Sequence, residues 1–209
     1  MRPGRASEAD AVAALLYATA TGMYDGFVGG RAAALRILRA AYRRSGNSAS
    51  REVVTVADRD GEIAGAIAAF PVSDVDRRAQ RFLWVMLARS APWRWPAILR
   101  LFRLGADATP AAPPDALYVD ALATAEEHRR GGVATALLDH AAREALRQGL
   151  RAVALDTAVD NAPARSLYER SGFEVTERRA AIDGLPAIVG YVRRLESRRR
   201  PDGEPADPP

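Results

Sequence analysis

Apolar residues near the N-terminus recur at intervals of three and four, which is the spacing of one face of an α-helix. This pattern predicts two amphipathic helices, over residues 7–20 and 31–44, and Ser7 is placed to cap the first. Residues 22–30 read GMYDGFVGG, and their high glycine content predicts a loop between the two helices.

Beyond residue 50 the pattern changes to short apolar runs separated by turn residues, which indicates strands. Strands over residues 52–57 and 62–70 flank Asp60-Gly61, a dipeptide typical of a tight hairpin. From residue 117 strands and helices alternate: the predicted strands cover 117–124, 151–157, 173–182 and 187–192, and the predicted helices cover 132–148 and 161–170. This order predicts an α/β or α+β domain with a mixed sheet.

Residues 72–114 do not fit this alternation. Pro92 and Pro96 interrupt an otherwise helical apolar pattern, so we expect two helices around that break. We interpret the segment as a helical insertion that covers the sheet and ends in the stiff run TPAAPPD. The alternative is a cationic face, carrying Trp93 and Trp95, that lies on a membrane surface.

Composition narrows the possible chemistry. Of the 209 residues, 48% are hydrophobic and 27% are charged, as in ordinary folded domains. We expect a single domain over residues 1–196 and a disordered tail, rich in proline and charge, over 197–209. The chain has no cysteine and two histidines, which excludes a thiol nucleophile and a thiolate metal site, and we expect no metal.

Every basic residue is arginine: 30 arginines are scattered among 26 acidic residues, which gives a net charge of +4. A nucleic-acid-binding protein would more often show a concentrated basic stripe, so no nucleic-acid partner is expected. No stretch approaches the ~18 consecutive apolar residues of a membrane span, and the N-terminus lacks a signal-peptide pattern. We therefore expect a cytoplasmic protein without a membrane span.

The segment HRRGGVAT, residues 128–135, lies between a predicted strand and a predicted helix. Two glycines allow a tight bend, so that consecutive N–H groups and the positive end of the helix dipole converge on an anion. Arg129 and Arg130 add positive charge. Such a turn suits a pyrophosphate, although it lacks the glycine spacing of a P-loop or of a dinucleotide-binding fold. A tight connection between a strand and a helix with no binding function would have a similar sequence.

The glycine turn together with a second motif indicates a function more specifically than the turn alone. The turn matches the signature Q/R-x-x-G-x-G/A through Arg129, Gly132 and Ala134, and further along the chain reads DNAPARSLYERSGF. Over residues 116–177 the sequence strongly resembles the GNAT superfamily of acyl-CoA-dependent N-acyltransferases. The resemblance implies a mixed, mostly antiparallel sheet of six to seven strands, with helices on both faces and the insertion before the cofactor-binding strand.

The resemblance also implies where acetyl-CoA, the acyl donor, would lie. Two parallel strands would splay into a V-shaped gap, in which backbone groups of 122–124 pair with the pantetheine arm and those of 130–135 hold the pyrophosphate. The implied donor-binding residues are Leu122, Ala123, Thr124, Arg129, Arg130, Gly131, Gly132, Val133, Ala134, Thr135 and Asn161. Asn161 is also placed to act as the N-cap of the following helix.

Tyr168 is the strongest candidate for catalysis, because members of the superfamily often place tyrosine at this point of the motif LY-x-x-x-GF. A phenol can protonate the CoA thiolate as it leaves, whereas the alternative role is a core aromatic. A base must deprotonate the acceptor ammonium, and Asp120 within a strand is the candidate, with pairing to an arginine as the alternative. Other candidates for the base are Glu126, Glu127 and His128.

The leading hypothesis is an enzyme that moves acetyl from acetyl-CoA to a primary amine by direct attack in a ternary complex. The alternative is a sensor or interaction module that binds acyl-CoA without turnover. Tyr24 and Asp25, in the predicted glycine-rich loop, are candidates to face the acceptor. The acceptor can be a small molecule or a peptide amine, and the sequence leaves a homodimer open.

Overall fold

The computed structural model describes residues 1–196, and the predicted tail over 197–209 lies outside these described residues. Within this range the chain forms one seven-stranded sheet and seven α-helices. The strands are β1 (Arg2–Pro3), β2 (Val54–Arg59), β3 (Glu62–Pro71), β4 (Ala116–Thr124), β5 (Ala152–Ala158), β6 (Glu174–Arg179) and β7 (Ile188–Arg194). The helices are α1 (Ala9–Thr19), α2 (Thr21–Val28), α3 (Arg31–Arg43), α4 (Val75–Arg89), α5 (Trp95–Ala108), α6 (Val133–Arg147) and α7 (Ala162–Arg170).

The strands lie in the order β1-β2-β3-β4-β5-β7-β6, and every neighbouring pair is antiparallel except β4 with β5. The hairpin between β2 and β3 turns at Asp60 and Gly61, which have φ angles of 53° and 89°. The parallel pair requires a crossover, and α6 supplies it. The expected mixed, mostly antiparallel sheet is confirmed, and its one parallel pair lies near the centre.

Helices cover both faces of this sheet, as expected. Side chains alternate along β3: Ala66 and Ala68 pack among α1 to α5, whereas Ile67 packs with α6 on the other face. Leu137 and Leu138 of α6 are fully buried there. Complete burial of one such side chain stabilises the fold by about 1.5–3 kcal/mol, so the two apolar layers hold the central strands in place.

The segment before β4 contains the two predicted helices, α4 and α5, separated by a short 3-10 turn over Pro92–Arg94. Both belong to the apolar layer of α1 to α3, through Val85 and Met86 of α4 and Ile98 of α5. In the described part of the chain, none of the helices has the length and apolar character needed to cross a membrane.

Two local expectations were wrong, and one strand was missed. Ser7 does not cap the first helix, because it lies within a 3-10 turn over Ala6–Glu8 and α1 begins after Glu8 without a side-chain cap. Residues 22–30 are not a loop, since α2 occupies most of them and ends at Gly29, where φ is 94°. Tyr24 and Val28 are one turn apart on one side of α2, and both are buried. Their burial outweighs the cost of about 1 kcal/mol for each helical glycine. The two-residue strand β1 was missed because it is too short to show alternation.

Candidate active site

The sheet opens between β4 and β5. The two strands pair over only four positions, Ala116–Val119 with Ala152–Leu155. Beyond this point β4 still pairs with β3 as far as Thr124, and β5 still pairs with β7 as far as Ala158. The predicted V-shaped gap is therefore present. The residues of β4 beyond Val119 have no partner on β5, so one backbone edge of this strand faces the gap.

A β-bulge places Asp120 where the gap begins. Ala121 pairs with Ala68 and Val119 with Ala69, so Asp120 has no partner residue on β3. A bulge bends its strand and redirects the side chain of the extra residue. Asp120 is exposed at the open gap, and its carboxylate lies close enough to Asp156 and Ser48 for both to affect its pKa.

These surroundings control the ionisation of Asp120. Desolvation, and next the charge of Asp156 on β5, raise the pKa of Asp120 to about 7, while the hydroxyl of Ser48 acts in the opposite direction. No arginine of the described residues contributes to this pKa, so the alternative of an arginine pair finds no support in the geometry. A carboxylate with a pKa near neutrality suits proton transfer at physiological pH.

Asp156 lies on β5 immediately after the last position paired with β4. Its Oδ2 accepts a hydrogen bond from the hydroxyl of Tyr118 on β4. Burial raises the pKa of Asp156, and the bond from Tyr118 opposes that shift. Burial, with the charges of Asp156 and Asp120, in turn raises the pKa of Tyr118, so this tyrosine is a proton donor to Asp156 and not a phenolate.

Tyr168 comes from α7 and is 7% exposed. Its ring packs on Phe173 and Tyr191, with centroid distances of 6.0 and 5.6 Å. Its hydroxyl makes no hydrogen bond within residues 1–196, yet it is not among the polar atoms sealed from solvent. Burial, and next the charge of Asp156, raise the pKa of Tyr168, which keeps the phenol protonated. The aromatic packing fixes the ring and leaves the hydroxyl free for a ligand.

The glycine turn lies beside the end of β4. Gly65 on β3 allows this approach, because a Cβ there would lie 2.8 Å from the carbonyl oxygen of Ala123 and 2.9 Å from Cγ1 of Val133. Arg130 and Gly132 have φ angles of 61° and 76°, and Gly132 is the N-cap of α6. Positive φ angles in such a turn point successive N–H groups toward one side of the chain.

The backbone amides of this turn are free. Within the described range, the N–H groups of residues 130–135 make no hydrogen bond of ordinary geometry, and the first paired amide is that of Ala136, on the carbonyl of Gly132. Nη2 of Arg59 donates to the carbonyl of Gly131 at 2.7 Å and brings a positive charge beside the turn. Unpaired amides at a helix N-terminus with nearby arginines form an anion site, and the residues present fit a pyrophosphate.

The model of the Acetyltransferase (GNAT) family matches residues 30–173, which is more than half of the chain. The chain belongs to the GNAT acetyltransferase family. It is therefore an acetyl-CoA-dependent acyltransferase, as the sequence motifs indicated.

Solved structures of acetyltransferases share the fold. One acetyltransferase crystal structure has a TM-score of 0.68 at 19% identity, over 93% of this chain and 98% of that chain. The N-acetyltransferase of Staphylococcus aureus Mu50 has a TM-score of 0.66 at 17% identity, over 91% and 98%. Ard1 from Thermoplasma volcanium has a TM-score of 0.57 at 16% identity, over 94% and 97%. No protein with a curated function matches the sequence significantly.

Most residues predicted to bind the donor lie around the gap of this GNAT protein. Leu122, Ala123 and Thr124 form the unpaired edge of β4, and residues 129–135 form the turn that follows. Asn161 caps α7, accepting from the amide of Ala164 at 3.3 Å, and its Nδ2 donates to Oγ1 of Thr157 at 3.1 Å. Both functional groups of Asn161 thus have protein partners, and its contact with the donor stays a prediction.

The two residues predicted to face the acceptor have different environments. Tyr24 is buried on α2, stacked on Tyr17, and the charge of Asp120 helps to raise its pKa, so it lies near the gap. Asp25 is exposed and accepts a hydrogen bond of 2.8 Å from the hydroxyl of Tyr17. Both stand on a helix rather than in the expected loop.

Sequence reasoning missed four residues around the gap: Ser48, Arg59, Tyr118 and Asp156. Arg59 lies 72 positions from Gly131, and Tyr118 lies 38 positions from Asp156, so no local motif links them. The one available signal was the alternation in LYVD and ALDT, which places Tyr118 and Asp156 on the face of their strands that carries Asp120.

Proposed function

We propose that this GNAT protein transfers the acetyl group of acetyl-CoA to a primary amine by direct attack in a ternary complex. The observation that supports this most is the position of Asp120, a carboxylate with a raised pKa, at the opening of the sheet beside a turn of free amides. The chain contains no cysteine, so a thiol acyl-enzyme intermediate is not available and direct transfer is favoured.

The donor is held mainly by the backbone. The free amides of 130–135 and the positive end of the α6 dipole bind the pyrophosphate, with charge from Arg59 and Arg130. The unpaired edge formed by Leu122, Ala123 and Thr124 pairs with the amides of the pantetheine arm, as one strand pairs with another. With the donor bound in this way, its thioester lies between β4 and β5.

Asp120 is the base. The acceptor arrives mostly as an ammonium ion, and the ionised carboxylate of Asp120, directly or through one water, takes a proton from it. The free amine then attacks the thioester carbonyl carbon, forming a C–N bond while the C–S bond breaks. A pKa of about 7 leaves a large fraction of Asp120 ionised near neutral pH.

Tyr168 is the acid. Its phenol, held by the packing on Phe173 and Tyr191, donates its proton to the departing sulfur, so that CoA leaves as a thiol. The proton taken up by Asp120 passes to solvent. The attacking nitrogen loses a second proton as the amide forms, and this proton restores the phenol of Tyr168, which completes the cycle. Asp156 and Tyr118 position and tune the two groups, because the charge of Asp156 acts on both Asp120 and Tyr168.

The test measures release of free CoA thiol with a panel of small-molecule and peptide amines, beside an independent calorimetric titration of acetyl-CoA. Binding together with amine-dependent thiol release is the expected result. Binding without release for any amine would support the alternative of a non-catalytic sensor. Absence of binding would overturn the proposed donor site.

A further inference from the structure

All three tryptophans of the chain lie where α4 ends and α5 begins. Trp84 is 68% exposed, Trp93 79% and Trp95 43%, and Leu99, one turn after Trp95, is also exposed. With a rise of about 1.5 Å per residue, all four lie within roughly 8 Å of the helix ends. We refer to these four residues as the aromatic tip. Large apolar side chains exposed together mark an interaction surface.

An arginine-rich pocket adjoins the aromatic tip. It has a volume of about 810 Å³, and its lining comprises Arg36, Arg39, Ala40, Arg43, Arg44, Ala88, Arg89 and Ser90. Ala88, Arg89 and Ser90 are the end of α4, and Ala88 lies one turn from Trp84 on the same side of the helix. Of these five arginines, only Arg39 forms an ion pair within residues 1–196, with Asp10.

The same region of the chain is rich in arginine. Residues 75–108 contain seven arginines and two aspartates. Arg77, Arg78 and Arg100 pair with acidic residues outside this range, whereas the other four form no ion pair within residues 1–196: Arg81, Arg89, Arg94 and Arg103. A surface with this charge and several unpaired guanidinium groups favours phosphate-bearing partners. It disfavours a second copy of the chain, because two such surfaces would repel each other.

We propose that the aromatic tip and the arginine-rich pocket form a docking surface for a membrane that contains anionic phospholipids. Arginines bind the phosphate head groups, and tryptophan side chains enter the boundary between head groups and acyl chains, where they are most favourable. Nε1 of Trp95 already donates to the carbonyl of Leu87 at 3.1 Å. Its ring can therefore enter an apolar layer without leaving an N–H group unpaired.

The tryptophans also supply the readout, because intrinsic tryptophan fluorescence reports on this surface alone. The full chain is mixed at low salt with vesicles of phosphatidylcholine, and of phosphatidylcholine with phosphatidylglycerol. We expect co-sedimentation and a blue shift of the emission with the anionic vesicles only. Both effects should disappear near 1 M salt, where the Debye length is about 3 Å.

Matched variants separate the two parts of the surface. Arg43→Glu with Arg44→Glu is expected to weaken vesicle binding more than about fivefold. Trp93→Ala should weaken binding without affecting the fold, since Trp93 is the most exposed tryptophan. The controls, Arg147→Glu and Leu146→Ala, change exposed residues of α6 and should bind as the unaltered protein does. Acetyl transfer without vesicles should be unchanged in all four.

Other outcomes overturn the proposal. A protein that does not sediment with anionic vesicles at low salt would contradict it. Equal binding to neutral vesicles, or an equal loss of vesicle binding in the α6 controls, would also contradict it. Binding of transfer RNA that is lost in the arginine variant, without vesicle binding, would assign the surface to nucleic acid. A concentration-dependent dimer broken by Trp93→Ala would assign it to a second copy of the chain.

Discussion

The sides of the gap that we propose for the donor and for the acceptor present different kinds of groups. On the donor side, the free amides of 130–135 and the edge of β4 are backbone groups. On the proposed acceptor side, the groups are side chains from separate elements: the charge of Asp156 affects the pKa of both Asp120 and Tyr168, and Ser48 affects that of Asp120. The donor side therefore depends on backbone conformation, and the acceptor side depends on the identity and ionisation of individual residues.

This difference determines what a substitution does. A backbone site tolerates many side chains and is damaged only where the conformation itself changes, whereas a side-chain site loses its chemistry when one functional group is removed. We therefore expect the kinetic effect of a substitution to be largest at the base and smaller at the acid. It should be smaller again at the donor turn, and smallest at the carboxylate that changes the pKa of the base.

The largest effect is expected from Asp120→Asn. Loss of the base should lower kcat/KM about 10³-fold. In the unaltered enzyme kcat/KM should rise with pH through about 7, because ionised Asp120 accepts the proton and its protonated form cannot. The variant should lack that rise. Asp115→Asn, next to β4 in an exposed pair with Arg194, is the control and should keep it.

The same variant tests the fold. The pKa of Asp120 is higher in the folded protein than in the unfolded chain, so ionisation disfavours the fold increasingly as pH rises from about 4 to about 7. Asp120→Asn should therefore raise Tm above pH 7 and leave it nearly unchanged near pH 4. If the variant is slow and its Tm is lowered both above pH 7 and near pH 4, the lost activity would indicate structural damage and not loss of a base.

Tyr168→Phe should lower kcat about 10²-fold and leave KM for acetyl-CoA nearly unchanged. Its free energy of unfolding should change little, because the Tyr168 hydroxyl has no hydrogen-bond partner in the described structure. In the control Tyr191→Phe, the lost hydroxyl donates to Glu169 and accepts from Arg165, so stability should fall by about 1–2 kcal/mol while kcat is largely kept. An unchanged kcat for Tyr168→Phe at saturating substrates would remove Tyr168 as the acid.

Gly132→Ala tests the donor side. Gly132 has a φ of 76°, which costs alanine about 1 kcal/mol or more, and relaxation of the turn should raise KM for acetyl-CoA about tenfold. Gly149→Ala is a matched control, because Gly149 follows the other end of α6 with a φ of 74° and equally open surroundings. Equal changes in KM for the two variants would contradict the role of the turn in donor binding.

The smallest effect is expected from Asp156→Asn. The charge of Asp156 raises the pKa of Asp120, so its removal should move the midpoint of the pH–rate profile to lower pH. Asp160→Asn, an exposed aspartate in the turn after β5, should leave the midpoint in place. A midpoint that stays fixed or moves upward in Asp156→Asn would show that this carboxylate does not tune the base.

The turn that we propose for the donor could be located from the sequence, and most of the groups near Asp120 could not. Glycine spacing between a strand and a helix is a local signal, and it located the turn around Gly132. Tyr168 belonged to a similarly compact motif. Tyr118 and Asp156 lie 38 positions apart and meet only through the pairing of β4 with β5. Tyr24 was assigned to a loop because burial against the core, which is not local, overrides the glycine content of α2.

The short parallel pairing of β4 with β5 also has a mechanical consequence. Four residue pairs join strands β1–β4 to strands β5–β7. Helix α6 contacts strands of both groups and also holds them together. The two parts of the sheet are thus joined over a shorter length than they would be by pairing along the whole of β4. A long ligand bound between them would restrict their relative movement, so that the sheet should become more rigid as the gap is occupied.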